Sequence, residues 1–318
     1  MTAMLYSRLS EMINGEFCQS VTPWPSLQGV KPGDSRDRVL TLLAIYDLHT
    51  APLDRIGDRA RWAAHPIVND VKMRLETQWL QELDAAAQPL MKALAADPVR
   101  AMRALAAKDR LPAVYKWVGD EATLPELRTF LAIEGGPDGG FDDLVATCQV
   151  GLSGAPKMEL ARNYWDEMGN GDPADVHTDL HRRMSAVVEI PALPREELPT
   201  SALQRAAFGG LLATNRWLQP EMIGALGLTE LQAGPRCRLV LKAFERLAIP
   251  AEANAFYQVH ADVDPRHGKD WLDQAIAPLA QQQPSWAPRM IRGATWRWLV
   301  NADLFDSLKI PQRTEVAA

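Results

Sequence analysis

Apolar residues recur at three- and four-residue steps along most of this 318-residue chain, and two-residue alternation is nearly missing. From Val71 to Leu105 the positions Val71, Leu75, Trp79, Leu80, Leu83, Leu90 and Leu94 keep the helical period, with good helix formers between them. Pro89 and Pro98 are expected to cut this run, with Asp97 capping the next helix and Pro98 at its first position. Further helices are expected over 124–134, 141–151, 156–168, 201–215, 236–247, 251–267 and 269–280. Ala186–Ile190, the only alternating segment, is too short to found a sheet. Breaks fall at Gly135–Gly140, Gly169–Pro173 and the prolines between 191 and 199. The fold class is therefore all-α. Residues 1–120 read as an N-terminal helical extension and 121–318 as the core, with no linker-like composition at the boundary.

Composition narrows the function. With 47% apolar and 23% charged residues the chain can bury a core without disulfides or structural metal. The net charge of −6 and the lack of a basic tract exclude a phosphate-backbone binder, so no nucleic-acid partner is expected. Cys18, Cys148 and Cys237 are far apart and form no C-x-x-C pair. Met1–Arg8 runs into Glu11 and Glu16 without the apolar core of a signal peptide, and no stretch reaches the ~18 apolar residues of a membrane span. A soluble, cytoplasmic protein is expected.

Several motifs carry no chemistry. Gly151-Leu152-Ser153-Gly154 is not a nucleophile elbow, and Gly135–Gly140 lacks the Lys-Ser/Thr end of a phosphate loop and reads as a helix–helix turn. Trp79, Trp165, Trp217, Trp271, Trp296 and Trp298 sit at helical spacing and are expected in the core. The pairs Asp142-Asp143 and Glu196-Glu197 read as solvated faces.

One run stands apart. In Phe256–Gly268, His260, Asp264 and His267 follow steps of four and seven, which places them within roughly 60° of one another on a helix. The two histidines would lie ~10 Å apart along the axis, which suits two ions about 3.5–4 Å apart better than one. Pro265 would kink the helix inside the motif. Carboxylates from facing helices are also needed. Glu167 in Trp165-Asp166-Glu167-Met168-Gly169 precedes His177 by ten residues (177 − 167), with His181 one turn further on as a rival ligand. Glu134 and Glu230 each lie on an apolar stretch. Each must be exposed at a helix end, protonated, or neutralised by a cation.

The order Glu, His, Glu, His-x-x-x-Asp-x-x-His on an all-helical chain resembles the heme-oxygenase-like diiron oxidases, over about residues 125–280. The resemblance implies a heme-oxygenase-like helical bundle and a non-heme diiron site with two Fe(II) ions and O2 as co-substrate. It implies Glu134, His177, Glu230, His260, Asp264 and His267 as iron ligands. Glu167 would match an additional carboxylate of the N-oxygenating branch, a seventh metal ligand with a catalytic role. Glu134 lies further from His177 than the family's spacing implies. The expected reaction is oxidation of a small amine- or amino-acid-like metabolite, with N-oxygenation favoured over oxidative decarboxylation or C–C cleavage. An external electron donor and a homodimer are open options. A metal-free helical binding module is the reading from another class.

Overall fold

The computed structural model describes residues 5–14, 27, 29–108, 111–135 and 140–311. Cys18 and most of the expected Gly135–Gly140 turn lie outside them. The described residues form helices and connecting turns, with no strand among them. In chain order the helices are α1 (Leu5–Asn14), α2 (Ser35–Thr50), α3 (Leu53–Ile56), α4 (Pro66–Lys92), α5 (Pro98–Lys108), α6 (Ala113–Asp120), α7 (Leu124–Glu134), α8 (Phe141–Cys148), α9 (Gly154–Glu167), α10 (His177–Val188), α11 (Thr200–Thr214), α12 (Gln219–Arg246), α13 (Asn254–Asp270), α14 (Ala277–Gln282) and α15 (Ala287–Ser307). A π-helical turn over Trp271–Ile276 joins α13 to α14.

Local signals explain several boundaries. Asp97 accepts a 2.8 Å hydrogen bond from the Arg100 N–H at the start of α5, as the Asp-Pro pair foretold. The capping box Thr123/Glu126 starts α7 where the periodicity does. Ala186–Val188 closes α10, and Glu189 takes a left-handed conformation just beyond it.

Other expectations fail for tertiary reasons. Pro89 does not cut α4, because it sits in the last turn and removes only one hydrogen bond. The sequence places the twelfth helix from Arg236 onward, but it begins at Gln219 and runs through Pro235. Glycine and proline lower helix propensity in that first half. Its residues 219–228 are nonetheless all buried, and packing on every side holds the helix where propensity does not. Trp165 and Trp217 are more than half exposed, whereas Trp79, Trp271 and Trp296 are core residues as expected.

The long helix α12 is the axis of the molecule and packs against α13, α15, α6 and α5. The helices of residues 5–108 share one apolar cluster with α11, α12 and α15. A second cluster joins α6, α7, α10, α12, α13 and the end of α15.

Close approach of α12 and α13 sets the site. A Cβ on Gly227 would meet the Trp271 indole at 2.5 Å, and the indole N–H donates to the Ile223 carbonyl at 3.1 Å. Pro265 packs on Gly234. Within a helix, the carbonyl that Pro265 leaves without its N–H is that of Ala261. Arg238 of α12 donates to this carbonyl at 2.7 Å. The helix therefore continues through Pro265 to Asp270.

Gly227→Ala should cost about 1–3 kcal/mol by overpacking the fully buried Trp271. Chemical denaturation of the purified variant checks this. An unchanged midpoint would mean that the crossing is not fixed by this contact.

Candidate metal centre

Four helices converge on one buried polar cluster. In α9, Glu159, Asn163 and Glu167 follow at steps of four and are all buried, forming a polar stripe on a helix whose other buried residues are Pro156 and Leu160. Past Glu167 the chain must reverse at once to bring His177 back. Gly169 allows this with φ +61, and a Cβ there would sit 2.6 Å from the Asp175 carbonyl carbon. Trp165, more than half exposed, covers Gly171 in the same turn. His177 is the first residue of α10. Glu230 lies in the middle of α12, and α13 presents His260, Asp264 and His267 on one stripe.

The cluster holds two groups of metal-competent atoms that share Glu167. One is Glu167, His177 and His260; the other is Glu167, Glu230 and His267. Within each group the ligand atoms all lie within 4.8 Å of one another. His177 Nδ1 is 2.8 Å from Glu167 Oε2 but is not oriented for a hydrogen bond to it, and it has no other partner. His267 Nδ1 is 3.6 Å from Glu230 Oε2 and is likewise buried without a hydrogen bond. His260 Nδ1 lies 2.6 Å from the Phe256 carbonyl, so it carries the proton and leaves Nε2 bare. The His177 and His260 rings meet edge to face, with centroids 4.6 Å apart. Asn163 donates to Glu230 Oε1 at 2.9 Å. Asp264 is buried, and its Oδ2 also has no partner. His177, His267 and Asp264 thus bring imidazole and carboxylate atoms without hydrogen-bond partners into one cluster, the donor set that suits iron.

The electrostatics follow from the crowding. Burial pushes the Asp264 carboxyl well above its usual range, and the charges of Glu230 and Glu167 add to this. Burial would also raise Glu167, but His177, then His260 and His267, outweigh it and hold the carboxyl low. Burial lowers the His260 imidazole. At His267 burial acts downward, yet Glu230 and Asp166 on its two sides lift it to about 9.

The cluster opens onto a cavity of about 430 Å³, with Glu167, His177, Glu230, His260 and Asp264 on its wall. Glu134 lines the same cavity but stands outside both groups. It accepts hydrogen bonds from the Tyr115 hydroxyl at 2.9 Å and from Arg205 at 3.0 Å. Neutralisation by a cation, one of the three options open to it in the sequence, is the one realised, and the cation is Arg205. His181 lines the cavity against Phe256 and is in neither group.

Asp142, read from the sequence as part of a solvated face, also lines the cavity. Burial raises its carboxyl, with Asp143 and then Glu167 adding to the effect, while Asp143 itself is exposed. The acidic first turn of α8 masked it. Sequence reading also passed over Asn163 and Asp166, although the four-residue step 159, 163, 167 was a visible signal of a polar stripe.

Residues 128–302, more than half of the chain, match the family described as iron-containing redox enzymes. The chain belongs to this family. The match begins inside α7 and ends in α15, so it takes in every helix that contributes to the cluster. No curated protein gives a significant match. Membership fits the all-helical, heme-oxygenase-like bundle and makes the chain an iron-containing oxidoreductase. No described helix is long and apolar enough to cross a membrane.

His267 holds its proton more tightly in the folded apo chain than in the unfolded one. Its stabilising contribution is full below pH 6.5 and is lost as pH rises through about 9. The raised Asp264 carboxyl acts in the same direction once pH exceeds its unfolded value. The metal-free protein should therefore melt at a lower temperature at pH 9 than at pH 6.5. The His267→Gln variant should show a smaller difference, and calorimetry of both chains measures it.

Proposed function

We propose that the chain is a non-heme diiron oxygenase that uses O2 to oxidise a small amine- or amino-acid-like metabolite, with N-oxygenation the favoured reaction. One observation carries the reading: Glu167 is shared between two buried His/carboxylate groups, and in each of them one imidazole nitrogen, Nδ1 of His177 or of His267, is buried without a hydrogen bond. His177 and His260 would hold one ion and Glu230 with His267 the other, with Glu167 between them. Asp264 and Asp142 supply further carboxylates facing the same space. Bound iron supplies the O2 activation and the redox chemistry.

The protein's own residues do the rest. Glu167, Glu230 and Asp264 place negative charge where a dication repays the cost of burying it. Asn163 holds Glu230 in place through its amide. Phe208, Leu212, Leu226 and Phe256 line the cavity with apolar surface, which limits water around a small substrate. The Glu134–Arg205 pair with Tyr115 adds polar groups to that wall and orients a substrate by hydrogen bonds. Glu167, the extra carboxylate, supports N-oxygenation because the resemblance assigns it to that branch.

Anaerobic titration with Fe(II) should saturate near about two ions per chain, and exposure to O2 in a stopped-flow spectrometer should give a transient visible band. Uptake of less than one ion per chain would overturn the proposal. His260→Ala and His267→Ala should each lose iron, while His181→Ala and Glu134→Gln should keep it. Mass spectrometry of products from candidate amines and amino acids should show an added oxygen that Glu167→Ala abolishes. Unchanged products with Glu167→Ala would remove the argument for N-oxygenation.

A further inference from the structure

The Trp165–Gly169 segment contains one side chain that the iron site does not absorb. Asp166 precedes Glu167, and consecutive helical residues point about 100° apart. Glu167 thus faces the shared position while Asp166 reaches α13, where its Oδ2 lies 2.8 Å from His267 Nε2. An ionised carboxylate can only accept, so the imidazole carries a proton on Nε2. The opposite nitrogen, Nδ1, is the one that faces Glu230 without a hydrogen bond. His267 is itself 3% exposed, and Asp166 lies at the edge of the cluster with its side chain 14% exposed. Arg266 sits over Asp166 from the solvent side at 3.7 Å.

We infer that Asp166 is a positioning residue for the metal centre: it fixes the His267 ring and its tautomer, so that Nδ1 is presented to the ion shared with Glu230 and Glu167. Asp166 itself touches no ion. This rests on the diiron reading and adds to it a dependence on a carboxylate outside the ligand set. Two physical consequences follow. The Nε2–H hydrogen bond removes the freedom of the ring to flip, which would turn Nδ1 away from Glu230. The negative charge behind the ring also makes the imidazole a stronger donor to a cation. The two metal positions are affected unequally, because among the described residues Asp166 makes its hydrogen bond and ion pairs with His267 and Arg266 and not with His177 or His260; His260 is held by the Phe256 carbonyl instead. The Asp-Glu dipeptide at the end of α9 therefore serves both positions at once, Glu167 by direct contact and Asp166 through His267.

The test is an anaerobic titration of the full chain with Co(II), followed by its visible absorption. Wild type should bind two equivalents. Asp166→Ala should weaken one of them by 10–100-fold and leave the other within a few-fold. Asp166→Glu should regain part of the loss, and Arg266→Ala, which removes only an exposed partner, should change neither. The melting temperature of each metal-free variant separates positioning from folding: a merely structural role would lower it and weaken both equivalents together. Two results overturn the inference: wild-type affinity at both sites in Asp166→Ala, or equal loss at both. A wild-type chain that binds no Co(II) would instead overturn the metal reading, and this inference with it.

Discussion

Negative charge gathered inside the protein is the constraint on which the rest of the site depends. Glu167, Glu230 and Asp264 are each at most 4% exposed and lie close enough for the first two to raise the third. Burying one unpaired carboxylate costs several kcal/mol, so three in one cluster demand compensation. The metal-free chain meets that demand with the lifted proton of His267, with the Asn163 amide and with a raised Asp264. An iron pair would replace protons by dications, and metal binding should therefore release protons. Acid competes with metal for the same atoms.

Holding such a cluster requires a rigid frame, and α12 supplies it. Buried on nearly every side, this helix carries Glu230 at its middle and packs on α13 closely enough to bring two histidines and Asp264 against it. Proline in α13 is compatible with this because Arg238 satisfies the carbonyl that Pro265 releases. The remaining members of the cluster come from α9 and α10, across a short turn whose glycine permits the reversal. Backbone rigidity on one side and a tight turn on the other place groups 101 residues apart, such as Asp166 and His267, in contact.

Much of this was legible in the chain. The helix over 124–134 was correct to the residue, as was the Asp97-Pro98 start of α5, because caps and prolines act locally. The His260/Asp264/His267 stripe was legible because helical period is a property of spacing alone. The partner of Glu134 was not: its apolar flanks required exposure, protonation or a cation, but the cation, Arg205, is 71 residues away and invisible to periodicity. Asp142 was misread for the converse reason. Its neighbour Asp143 is solvated, and nothing in an acidic pair tells which member turns inward.

By itself the sequence determined the all-helical class and the family and singled out most of the side chains that meet in the cluster, since period, capping and residue chemistry are carried by neighbours along the chain. Only the tertiary structure decided which of those groups meet. It joined Glu167 to both histidine groups, gave Glu134 to Arg205 and turned Asp142 to the cavity. It also set Asp166 behind His267. Charge interactions depend on distance in space, and a buried carboxylate has no fixed character until the fold supplies its partner.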